Sequence, residues 1–141
     1  MAEKLLREKI GWKPGMRVLE VGLPDGLASP FSGVEHTSVR SGEGAPGAGF
    51  DLVLGFARDS TVLREIAPVM VGAGGDEAKI WIGYPKLSSK QKTDLTRDTG
   101  WEPMLRAGWI VVAIASVDAV WSAVRFRPKE RVKSVRYGGK S

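Results

Sequence analysis

Val18-Leu19-Glu20-Val21-Gly22-Leu23-Pro24-Asp25-Gly26 is a short apolar run, interrupted by one acidic residue, that breaks into a loop carrying two glycines and a proline. Valine and leucine in so short a run, closed by glycine, read as a buried central strand entering a tight loop. Upstream, Lys13-Pro14-Gly15 is a turn, so the strand spans about Met16 to Val21, and Glu3 to Ile10 reads as a short amphipathic helix that Gly11 stops. Downstream, Phe50 to Phe56 repeats the strand signature. Thr61 to Val71 sets Val62, Leu63, Ile66, Val69 and Met70 near helical spacing, with Pro68 expected to end or kink that helix early. Ala78 to Tyr84, centred on Ile80, Trp81 and Ile82, is the next strand. The polar loop from Pro85 to Lys92 then leads to a helix expected to begin around Thr93 or Asp94, its continuity challenged by Pro103.

Trp109 to Ser116 and Val120 to Arg127 are two apolar, β-branched runs parted by Val117-Asp118-Ala119, a spacing that predicts an antiparallel hairpin at one edge of the sheet. Between Gly26 and Phe50 lie five glycines and two prolines, leaving one weak strand from Val34 to Val39 and no room for more than one βα unit. The alternation of strand, helix and strand predicts an α/β fold with a mostly parallel sheet and an antiparallel C-terminal hairpin.

The chain has 141 residues, enough for one hydrophobic core without staples. It has no cysteine, which excludes disulfides, thiolate nucleophiles and cysteine-ligated metals and fits a reducing, cytoplasmic setting. The single histidine, His36, leaves few metal-ligand sets, so no metal is expected. Neither a signal segment nor a membrane span is visible. The net charge of +5 is uneven: Arg125, Arg127, Lys129, Arg131, Lys133, Arg136 and Lys140 face only Glu130 in the last 17 residues. The expected division is therefore a domain over 1–127 and a basic, flexible tail over 128–141. Nucleic acid bound through such a tail would be held weakly and without sequence preference.

The strand that ends in Glu20-Val21-Gly22 and runs into Gly26, followed by Phe50-Asp51-Leu52-Val53-Leu54, resembles the first nucleotide-binding motif and a later core strand of class I S-adenosylmethionine-dependent methyltransferases. In that family glycines let the backbone pass close to the cofactor at the carboxyl ends of the strands. The resemblance implies a methyltransferase-like Rossmann three-layer sandwich, shortened here, with Glu20, Gly22, Gly26 and Glu35 as cofactor-binding candidates. Pro24 stands where the family has its middle glycine. Glu35 is placed inside its expected strand, whereas the family's ribose-binding acid ends that strand. The segments Trp81-Ile82-Gly83-Tyr84-Pro85-Lys86, Lys92-Thr93-Asp94-Leu95-Thr96-Arg97-Asp98 and Val117 to Phe126 are similar to a family of small bacterial proteins of unknown function.

Each polar candidate has a structural reading beside the functional one. Glu20 is expected to pin the turn after its strand, because acidic residues beside glycine turns bind backbone amides. Asp51 reads as a turn or edge residue, and Trp12, Trp81, Trp101, Trp109 and Trp121 as core. Lys86, Ser88, Ser89, Lys90, Lys92, Thr93 and Arg97 cluster after a strand and around the expected helix start, where an open α/β sheet binds anions. The leading expectation is a non-catalytic module that binds a small anionic ligand or a protein partner, with no cofactor. The alternative is a methyltransferase that binds S-adenosylmethionine, an affinity that Pro24 is expected to make weak or nil.

Overall fold

The computed structural model of the chain describes residues 6–44, 46–74, 77–86, 89, 92–96 and 99–131. Six strands form one sheet: β1 (Val18–Val21), β2 (Thr37–Val39), β3 (Leu52–Phe56), β4 (Lys79–Pro85), β5 (Trp109–Ser116) and β6 (Trp121–Pro128). Their order is β2-β1-β3-β4-β6-β5. The first four are mutually parallel, and β6 runs antiparallel to both β4 and β5. The expected hairpin is thus present, with β5 as the outer strand.

β1 and β3 are buried along their whole length, which is why their sequences are unbroken apolar runs and not alternating ones. Leu19, Val21, Val53, Ile80, Ile82, Val124 and Phe126 pack on one face beneath α2 (Ser60–Gly74) and α3 (Glu102–Arg106). Val18, Leu52, Leu54, Phe56, Trp81 and Trp121 pack on the other. That second face is closed by Ile10, just after α1 (Leu6–Lys9), and by Phe31 from the loop between β1 and β2. The Trp81 indole donates to the Ile10 carbonyl at 2.9 Å, locking this cover to the sheet.

Three expectations need correction. α2 runs unbroken past Pro68 to Gly74. Pro68 lies on the exposed side of the helix, while Leu63, Ile66, Ala67, Met70 and Ala73 form a buried stripe on the sheet, so packing outweighs the lost hydrogen bond. β2 is only Thr37–Val39, leaving Glu35 ahead of it. No helix starts at Thr93 or Asp94: Thr93 and Thr96 spend their hydroxyls on turns, accepting from the amides of Leu95 and Thr99. The helix starts instead at Glu102, with Pro103 in its first turn, where a missing N–H costs nothing.

The expected tail begins at the end of β6. A 3-10 turn over Lys129–Arg131 follows, with the Lys129 amide on the Gly108 carbonyl at 2.7 Å. Residues 132–141 lie outside the described residues. Among the described residues no helix is long and apolar enough to cross a membrane.

Candidate functional site

The chain leaves β1, passes to β2 on one side, and then returns to form β3 on the other side of β1. In an open α/β sheet this reversal opens a crevice at the carboxyl ends of the strands. Here it holds a cleft of about 900 Å³, lined by Gly22, Leu23, Pro24 and Asp25 after β1, by Ser38 to Ser41 and Glu43 at the end of β2, and by Phe56 and Arg58 at the end of β3, with Val62 and Trp121 completing it.

Gly22 is set by its backbone. Its φ of +72° favours glycine, whereas a Cβ there would meet the Phe56 carbonyl oxygen at 3.4 Å and the Ser41 Cβ at 3.5 Å, ordinary contact distances. Its amide donates to the Val39 carbonyl at 2.8 Å, holding the loop between the ends of β2 and β3. Pro24 sits further along, its carbonyl accepting from the Leu27 amide at 3.2 Å in a turn. The apolar floor is Phe56 with the Trp121 ring set edge-on, centroids 5.6 Å apart.

Glu20 is 1% exposed and is not among the residues that line the cleft. One carboxylate oxygen accepts from the Ser29 hydroxyl at 2.6 Å and the other from the Ser38 hydroxyl at 3.2 Å. Ser29 in turn accepts from the Phe31 amide at 3.0 Å. A buried carboxylate needs such partners, and these tie the loop after β1 to β2. Glu20 therefore holds Ser38, a cleft residue, from outside the cleft.

Of the four cofactor candidates, Gly22 alone lines the cleft. Gly26 is an exposed turn residue with φ +82°. Glu35 is exposed ahead of β2, at the opposite end of that strand from the cleft. Arg40, the residue immediately after β2, stands at the cleft instead. The expected strand ends at Val39, as β2 does, so the place of Arg40 just after it is legible in the sequence, although the resemblance points to Glu35.

Of the expected anion cluster, Lys86, Ser89 and Thr93 have local partners. The Lys86 ammonium donates to the Ser116 hydroxyl at 2.8 Å, the Ser89 hydroxyl donates to the Lys86 carbonyl at 2.6 Å, and Thr93 accepts from the Leu95 amide at 3.1 Å. Lys92 is exposed; Ser88, Lys90 and Arg97 lie outside the described residues. With no helix starting there, the dipole argument for an anion at that loop lapses. His36 bonds the Val34 carbonyl at 2.9 Å and packs on Phe31, away from the cleft.

The cleft carries charges of both signs: Arg40 and Arg58 against Asp25 and Glu43, all exposed. One Glu43 oxygen accepts from the Arg40 backbone amide at 2.6 Å. Sequence reasoning missed Arg40, Arg58, Ser29 and Ser38 because none of them belongs to a local motif.

Similar folds occur among solved structures. A S-adenosylmethionine-dependent methyltransferase from Aquifex aeolicus superposes with a TM-score of 0.59 at 15% identity, over 84% of this chain and 85% of that one. The fold is methyltransferase-like. The glycopeptide N-methyltransferase MtfA, solved with S-adenosylmethionine, gives a TM-score of 0.58 at 13% identity over 85% of this chain and 84% of that one. LepI in complex with S-adenosylmethionine gives 0.55 at 22% identity, and there the match spans 87% of this chain but 39% of LepI. No protein-family model and no curated protein matches the chain, so the likeness to a bacterial family of unknown function finds no support there. Against this methyltransferase-like plan the present chain is shortened: a run of turns joins β1 to β2 without a helix among the described residues.

Proposed function

We propose that the cleft over Gly22 is a nucleoside site that binds an adenosine-containing ligand, S-adenosylmethionine being the first to test, on a domain of methyltransferase type. The observation that carries this reading is the meeting of three features at one point: the topological reversal at β1, the glycine with φ +72° at its mouth, and an open cleft of about 900 Å³ above it. The positive φ after β1 falls at Gly22, where glycine is kept, and Pro24 lines the cleft two residues on. The proline removes an N–H donor there, so affinity is lowered.

Isothermal titration of the full chain with S-adenosylmethionine and its demethylated product tests this. Saturable binding tighter than about 1 mM, strengthened in Pro24→Gly, is expected. No binding by either chain would remove the reading.

A non-catalytic module for a small anionic ligand is the second reading, and one observation favours it: two arginines, Arg40 and Arg58, line the same cleft. A nucleic-acid role would rest on the basic tail, most of which lies outside the described residues.

A further inference from the structure

β2 and β3 flank β1, so the residues that follow them, Arg40 and Arg58, are rooted on opposite banks of the cleft with Gly22 between them. Two strand spacings separate those banks by about 10 Å, a width that two arginine side chains can close over a bound molecule. Among the described residues neither guanidinium has a hydrogen-bond or ion-pair partner, although Asp25 and Glu43 line the same cleft. Glu43 is already engaged through the Arg40 backbone amide at 2.6 Å, not through its guanidinium. Beside Arg40 stand Ser38 and Ser41, two hydroxyls at the place where a Rossmann-type sheet meets the ribose of its ligand. At that place an acidic residue suits a free ribose diol, whereas an arginine suits a ribose that carries phosphate.

We infer that Arg40, with Arg58 opposite it, makes this cleft select a nucleoside bearing phosphate on its ribose over one with a free diol. This rests on reading the cleft as a nucleoside site and narrows which nucleosides it prefers. A phosphate offers three acceptor oxygens to planar, always-charged donors, and such charge-assisted bonds are the stronger class. S-adenosylmethionine, whose ribose is unmodified, would then be a weaker ligand than a phosphorylated adenosine.

The test is calorimetry at low and moderate salt with adenosine, adenosine 2′-phosphate, adenosine 3′-phosphate, S-adenosylmethionine and inorganic phosphate, on the unmodified chain and on Arg40→Gln, Arg58→Gln and the double variant. Both arginines are exposed, so the variants should fold, and their melting temperatures check this. At least one phosphorylated adenosine should bind about tenfold or more tighter than adenosine, with the advantage falling in Arg40→Gln and vanishing in the double variant. Equal affinity for phosphorylated and plain adenosine, or an advantage that survives in the double variant, overturns the inference and leaves the nucleoside reading standing. Binding of phosphate as tight as that of the nucleotides overturns it too, since the cleft would then hold an anion without reading the nucleoside. Absence of binding by every adenosine compound defeats both.

Discussion

The Asp94 carboxylate closes the N-terminus of α2, a helix it does not belong to, accepting the Ser60 amide at 2.8 Å and the Ser60 hydroxyl at 2.5 Å. Asp59, just ahead of the helix, takes the Val62 amide at 3.1 Å, so two carboxylates share the free donors of the first turn. The Ser60 hydroxyl bond, then its amide bond, lowers the Asp94 pKa below the ordinary 3.8, with Arg64 helping and desolvation opposing. A group whose pKa falls on folding stabilises the native state above its unfolded pKa and loses that contribution as pH drops through the folded value. Asp94→Asn should therefore lower the melting temperature by a few degrees at neutral pH. The gap should hold down to about pH 5 and close below pH 3.8. Thermal melts across pH decide it; a gap independent of pH would mean that shape and not charge matters at this cap.

Gly55, the fourth residue of β3, faces Ile66 and Met70 of α2: an added Cβ would run into the Met70 sulfur and stand 3.1 Å from Ile66 Cδ1. Gly55→Ala should cost about 1–3 kcal/mol through overpacking, visible in chemical denaturation. Gly83, whose Cβ would press on the Phe56 ring 2.7 Å away, should behave similarly and disturb the cleft floor as well.

Glu20→Ala would leave the half-buried Ser29 hydroxyl and the exposed Ser38 hydroxyl without their acceptor and should destabilise by about 1–3 kcal/mol. Glu20→Gln keeps one acceptor and should cost less. Because Glu20 does not line the cleft, ligand affinity in Glu20→Gln should change little compared with Arg40→Gln. A large affinity loss at unchanged stability would show direct contact with the ligand.

At the C-terminal end, truncation after Arg131 should leave the melting temperature nearly unchanged, the basic residues beyond it being the expected tail. Truncation after Arg127 removes the Pro128 pairing with Trp109 and the Lys129 bond to Gly108, and should lower it measurably. Equal melts for both truncations would move the boundary back to Arg127.

The sequence by itself determined the strands β1, β3 and β4, the C-terminal hairpin and the apolar stripe of α2. Each is written in residues next to one another or one helical turn apart, because burial on one or both faces imposes a local pattern. It also located Gly22, since a positive φ at a strand end needs glycine whatever surrounds it. Tertiary structure alone decided that Pro68 is tolerated, that Asp94 caps α2 instead of a helix of its own, that Glu20 is satisfied by Ser29 and Ser38, and that Arg40 and Arg58 border one cleft. Polar pairing follows which donors and acceptors the folded chain brings together. Those partners are distant in sequence, and no local pattern names them.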